Sequence, residues 1–101
     1  MPKTVSLRLV TVVAEYLLRD KLVKEIGKLG VTGFTVTDAE GQGPRGNRAG
    51  VYEGRNVRIE AVCSAEVANR VFQHLVTYYF EHYAVIAWVQ TVEVVRGDKY
   101  V

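Results

Sequence analysis

Residues 41–56, GQGPRGNRAGVYEGRN, can hardly be helix or strand, so whatever the chain folds into must carry a long irregular loop at this point. Five glycines (Gly41, Gly43, Gly46, Gly50 and Gly54) break regular structure, and Arg45, Arg48 and Arg55 are spread among them. Connections of this length are uncommon in a compact domain and are either functional or disordered. Glycines let backbone N–H groups approach an anion, and arginine adds a fork of donors that matches carboxylate or phosphate oxygens. The segment reads as a mobile anion-binding element on a rigid scaffold. The plainer alternative is a flexible surface loop whose arginines serve solubility.

The scaffold is legible on either side of it. Residues 5–14 are rich in β-branched side chains, with Val5, Leu7, Leu9 and Val13 at even spacing, and predict a strand. Residues 16–29 place Leu18, Leu22, Ile26 and Leu29 on one helical face opposite Arg19, Lys21, Lys24, Glu25 and Lys28, and Gly30 stands where a helix C-cap is expected. Residues 33–39 and 57–63 predict two further strands. Ser64 is a candidate N-cap for a second helix over 65–82, with an apolar stripe of Ala68, Phe72, Leu75, Val76, Tyr79 and Phe80. Residues 84–95 close as a fourth strand. The order βαββαβ is the α+β ferredoxin-like sandwich, one domain over residues 1–101 with its long loop between the second and third strands.

Two helices cover only one face of a four-stranded sheet. The first and last strands nonetheless carry apolar residues on both faces, Leu9 and Val10 in one and Ile86, Ala87, Trp88 and Val89 in the other. A sheet face this apolar needs a cover, and the simplest is another copy of the chain.

Composition removes several function classes. A net charge of +2 is too small to argue for nucleic acid. The strands that would present stacking aromatics in an RNA-recognition domain, VSLRLVTVVA and NVRIEAVC, contain none. Cys63 is the sole cysteine, so there is no internal disulfide and no thiolate cluster for zinc. It ends a strand at a core-facing position and reads as a small buried hydrophobe. The N-terminal region lacks the organisation of a signal peptide, and its apolar run is far short of the roughly 20 residues of a membrane helix. A cytoplasmic protein without membrane insertion is expected. Gly41-Gln-Gly43-Pro-Arg-Gly46 matches G-x-G-x-x-G literally, but Pro44 and further glycines stand where the dinucleotide fingerprint needs a helix to open. His74, Tyr78 and His82 fall on one line of the second helix, but two turns separate the histidines, and a polar solvated face is the expectation.

The second strand and its loop carry a family likeness. Gly33-Phe-Thr-Val-Thr37 followed by Gly41-Gln-Gly43 resembles the G-[MF]-T-V-[TS]-x-x-x-G-x-G signature of PII signalling proteins, and Val57-Arg-Ile-Glu60 and Val-Glu-Val-Val-Arg96-Gly97 fit the same family. The departures point to a subgroup. The lysine-bearing glycine loop that grips phosphates in PII proteins is absent, because only Glu81-His-Tyr-Ala-Val85 joins the second helix to the last strand. Arg45 and Asn56 replace the residues that hold 2-oxoglutarate, and Tyr52 is out of register with the uridylylated tyrosine. The pattern is similar to divergent PII-like proteins associated with bicarbonate transporters and carboxysomes.

That resemblance implies a homotrimeric, non-enzymatic regulator that binds ATP, ADP or AMP in clefts between subunits, with bicarbonate as a second candidate ligand. It implies no cofactor, the nucleotide acting as an effector. Its loop would signal to a partner in inorganic carbon uptake or fixation, a bicarbonate transporter or a carboxysome-related protein. Adenine is expected near Thr35 and Val62, phosphates at the amides of Gly41 and Gly43 with Arg45 and Arg48, and Arg58 and Arg96 as further candidates. Two readings from other classes stand beside it. One is a small enzyme acting on a phosphorylated substrate, with Asp38, Glu40 or Glu53 as its base. The other is a structural assembly module whose loop binds no small molecule.

Overall fold

The computed structural model describes residues 2–40 and 55–100. Strand β1 (Thr4–Glu15) leads through a 3-10 turn (Tyr16–Leu18) into helix α1 (Arg19–Lys28), followed by β2 (Thr35–Glu40). After the loop come β3 (Arg55–Cys63), α2 (Ala65–Tyr78), β4 (Ile86–Val95) and a last 3-10 turn, Gly97–Tyr100. The four strands form one antiparallel sheet in the order β2-β3-β1-β4. This is the ferredoxin-like arrangement, with β1 and β3 central and the edges left to β2 and β4.

The helices bury one sheet face. On β1 that face is Val10, Val12 and Ala14, and on β3 it is Val57, Ile59, Ala61 and Cys63, all buried beneath Leu18, Leu22 and Ile26 of the first helical segment and Ala68, Val71 and Leu75 of α2. The evenly spaced Val5, Leu7, Leu9 and Val13 mark the strand correctly but belong to the opposite pleat, which the helices do not cover. Cys63 is 1% exposed, and burial pushes its thiol pKa up, so it packs as a small hydrophobe.

Helix ends follow their local chemistry. The Ser64 Oγ accepts a hydrogen bond from the Val67 N–H at 3.2 Å and opens α2. At the end of α1, Leu29 is the C-cap and Gly30 turns with φ +112°, a conformation costly for any side chain. Arg70 then donates to the Leu29 carbonyl at 3.1 Å and ties α2 to this terminus.

The second helix stops at Tyr78, not at His82. Both Tyr79 and Phe80 donate their N–H to the Leu75 carbonyl, the backbone leaves helical geometry at Tyr79, and the Tyr79 ring turns inward to 1% exposure. Two expectations change as a result. The buried stripe runs through Val71, while Val76 is 58% exposed. His82 lies beyond the helix and is exposed, so the line of His74, Tyr78 and His82 does not form.

Nor is His74 a solvated residue. Its Nε2 meets Glu25 Oε1 at 2.6 Å, and the Tyr79 hydroxyl donates to the same oxygen at 2.6 Å. Glu25, which the pattern places on the polar face of α1, is the acceptor that joins the two helices. Burial alone would raise its pKa, but the bonds from Tyr79 and His74, with the charges of His74 and Lys21, outweigh it and hold the carboxyl below its ordinary 4.5. Tyr79 is pushed the other way, upward, by burial and then by its bond to Glu25.

A carboxyl depressed in the folded state stabilises the protein above its unfolded pKa and loses that contribution as pH falls through its folded value. Glu25→Gln should therefore lower stability by about 1–3 kcal/mol at neutral pH. The gap from wild type should shrink below the ordinary carboxylate range. Urea unfolding at pH 7 and pH 3 measures both.

Candidate functional site

Cross-strand partners share a face. The register therefore gathers Thr35, Thr37, Arg58, Glu60, Val62, Leu9, Thr11, Val13 and Trp88 on the side away from the helices. Where β2 begins and β3 ends, this side holds a pocket of about 420 Å³ lined by Leu9, Gly33, Phe34, Thr35, Glu60, Ala61, Val62, Val94, Val95 and Tyr100. Seven of its ten lining residues are aliphatic or aromatic, and polar atoms share the wall with them. Glu60 is the one charged side chain among the described lining residues.

The far wall is built by a reversal after β4. Arg96 takes a left-handed φ of 65°, which for a non-glycine residue costs on the order of 1 kcal/mol. Gly97 follows, buried against the first strand: a Cβ there would lie 2.7 Å from Val5 Cβ and 3.3 Å from Leu7 Cδ1. The pair turns the chain back over the open sheet face, buries Leu7 to 3% exposure and brings Tyr100 to the pocket.

The sequence-derived site residues are only partly brought together. Thr35 and Val62 line the same pocket. Arg58 shares their face but lies one pleat toward the loop end. Its Nε is 3.5 Å from Glu60 Oε1, and its guanidinium carbon is 5.5 Å from the centre of the Trp88 ring. That contact crosses β1 and accounts for a Thr11 that is 0% exposed although no helix covers it. Thr11 Oγ1 has no hydrogen-bond partner among the described residues. Arg96 is exposed in the turn beside the pocket and does not line it. Gly41, Gly43, Arg45 and Arg48 lie outside the described residues, as do Tyr52 and Glu53.

The loop departs from Glu40 and returns at Arg55, which are register partners, so Arg55 and Asn56 belong to β3. Five strand steps separate Thr35 from Glu40, about 16 Å at a strand's rise per residue. Arg55 reaches Asp38 at 3.7 Å and stacks 4.3 Å from the Tyr16 ring centre. Asp38 pairs with Val57 of the core face, so it points away from the pocket. Among the described residues no group of three or more His, Cys, Asp or Glu is placed to hold a metal ion.

Glu60 and Tyr100 are pocket residues that the sequence reading missed. Glu60 looked like an ordinary outward charge on an alternating strand, although Thr35 opposite and Val62 two residues on mark its side. Tyr100 stands beyond the last strand, where only the Arg96-Gly97 pair signals a reversal.

Gly97→Ala should destabilise the chain by about 1–3 kcal/mol, because the clash is with a Cβ that cannot swing aside. Thermal unfolding gives the size of the loss. Near-ultraviolet circular dichroism should change as Tyr100 moves, and an unaltered spectrum with unaltered stability would refute the packing described.

Comparison with known proteins adds a consistent picture. The family model of nitrogen regulatory protein P-II matches residues 7–99. The chain is similar to a PII-like signalling protein from Thermus thermophilus, at 54% identity and a TM-score of 0.86 over 98% of this chain and 99% of that one. It shares its fold with a nitrogen regulatory PII-like protein from Thiomonas intermedia, solved with ADP, AMP and bicarbonate, at a TM-score of 0.87 and 18% identity over 99% and 98% of the two chains. A second structure of that Thiomonas protein, with ADP and bicarbonate, matches at a TM-score of 0.86 and 18% identity over 100% of both chains. No curated protein gives a match.

Proposed function

This chain belongs to the nitrogen regulatory protein P-II family, and from that premise we propose that it is a non-enzymatic signalling protein that binds adenine nucleotides in clefts between copies of itself. The observation that carries the reading is the pocket at Thr35, Glu60 and Val62, apolar enough for a base and open on the sheet face that no helix covers. The Thiomonas protein of the same fold was solved with ADP, AMP and bicarbonate, which supports these ligands as candidates here.

The distribution of charge supports a cleft shared between subunits. The pocket's charged wall is a carboxylate, which repels phosphate, while the proposed phosphate ligands Gly41, Gly43, Arg45 and Arg48 follow β2 at its other end. A base in one copy's pocket, with its phosphates against the loop of a neighbour, satisfies both halves. A trimer closed in this way also covers exposed Ile86, which pairs with Val13 on the same open face. Ligand binding would order the loop, and a partner protein in inorganic carbon uptake or fixation would read that state in the cytoplasm. Bicarbonate would join the arginines of the same cleft. No described helix is long and apolar enough to cross a membrane.

Light scattering of the purified protein should give three times the 11.3 kDa chain mass. A monomer at micromolar concentration would overturn the shared cleft.

Calorimetry with AMP, ADP and ATP, each with and without bicarbonate, tests the ligand. Arg45→Ala should raise the Kd for ADP by roughly 10- to 150-fold, the loss of one charge-assisted contact. Arg55→Ala should do much less, because Arg55 already serves Asp38 and the Tyr16 ring. Wild-type affinity in Arg45→Ala would remove that arginine from the site.

A further inference from the structure

We infer that Tyr100 is the base-stacking residue of this pocket and a determinant of its preference for a planar heteroaromatic ring. The inference deepens the functional reading above and rests on it.

Tyr100 is a large side chain that remains 37% exposed, and it reaches the pocket from outside the sheet. The turn that delivers it is closely constrained. Arg96 holds a left-handed backbone, Lys99 donates its N–H to the Arg96 carbonyl at 3.2 Å, and Gly97 sits where a Cβ would collide with Val5. A backbone turn so constrained limits where the Tyr100 ring can go, which lowers the cost of ordering it against a ligand.

The rest of the pocket says which end of a ligand meets that surface. Leu9, Val62 and Val94 offer aliphatic contact, and Glu60 offers a carboxylate approached from the loop side by Arg58 at 3.5 Å. A phosphate is unwelcome beside that carboxylate, whereas sugar hydroxyls and ring amino groups can donate to it. The base and ribose therefore enter and the phosphates stay at the mouth. An aromatic wall then contributes by offset stacking on the base. This separates two roles along one ligand, with Tyr100 acting on the ring and the loop arginines on the charge.

Calorimetry on the full chain with adenosine, AMP and ADP tests the division. Tyr100→Ala should weaken all three by a similar factor, roughly 5- to 100-fold. Tyr100→Phe should stay within about twofold of wild type, since stacking does not need the hydroxyl. Light scattering should show the same mass for both variants as for wild type, so that a lost interface is not mistaken for a lost stack. Adenosine binding as tightly to Tyr100→Ala as to wild type would overturn the inference. So would a loss confined to the phosphorylated ligands, or a failure of Tyr100→Phe to retain affinity. A wild-type chain that binds none of the three would instead remove the functional reading itself.

Discussion

Two helices cannot cover both sides of a four-stranded sheet, and the rest of this molecule follows from that shortage. One face becomes a dry core of Val10, Val12, Ala14, Val57, Ile59 and the helical leucines. The other must manage apolar and polar groups with no layer above it. It does so locally: Arg58 lies across β1 against Trp88, and the turn at Gly97 folds over Leu7. What those devices leave open is the pocket, which exists because the cover is incomplete.

The same economy governs charge. Where a carboxylate is half-buried between helices, at Glu25, it is given two hydrogen-bond partners from α2 and the residue that ends it. Where a carboxylate lines the open face, at Glu60, the described residues offer it the longer approach of Arg58. An acceptor with a single, longer approach keeps capacity for further hydrogen bonds, whereas a doubly bonded one between helices is a fastening. Glu25 stands on a helix and Glu60 on an alternating strand, and their partners separate a fastening from a carboxylate left at the pocket.

Most of the architecture was legible because its signals are periodic. The alternation of Val57, Ile59, Ala61 and Cys63, the capping Ser64, and Gly30 after the apolar face of Leu18, Leu22, Ile26 and Leu29 all fall where the structure has them. The failures share a physical cause. The end of α2 and the role of His74 were misread because Tyr79 breaks the helical period to reach Glu25, a partner 54 residues away that no local pattern reveals. Tyr100 escaped for a similar reason, since its place depends on a clearance between Gly97 and Val5. Family likeness found Thr35 and Val62 on one pocket but could not weigh Glu60 between them.

The pairing of β1 with β4 reaches from Thr4↔Val95 to Val13↔Ile86, so the second strand from the sheet's edge waits for the last one made. Contacts between such distant positions are slow to form, because a long loop must close before any of them is rewarded. A growing chain can assemble β2, β3 and the helices around β1 while the flank that faces β4 stays bare. Completion of the pocket, whose walls include Val94, Val95 and Tyr100, is then one of the latest events in folding. The pocket in this fold is thus whole only once the final strand has been made and paired.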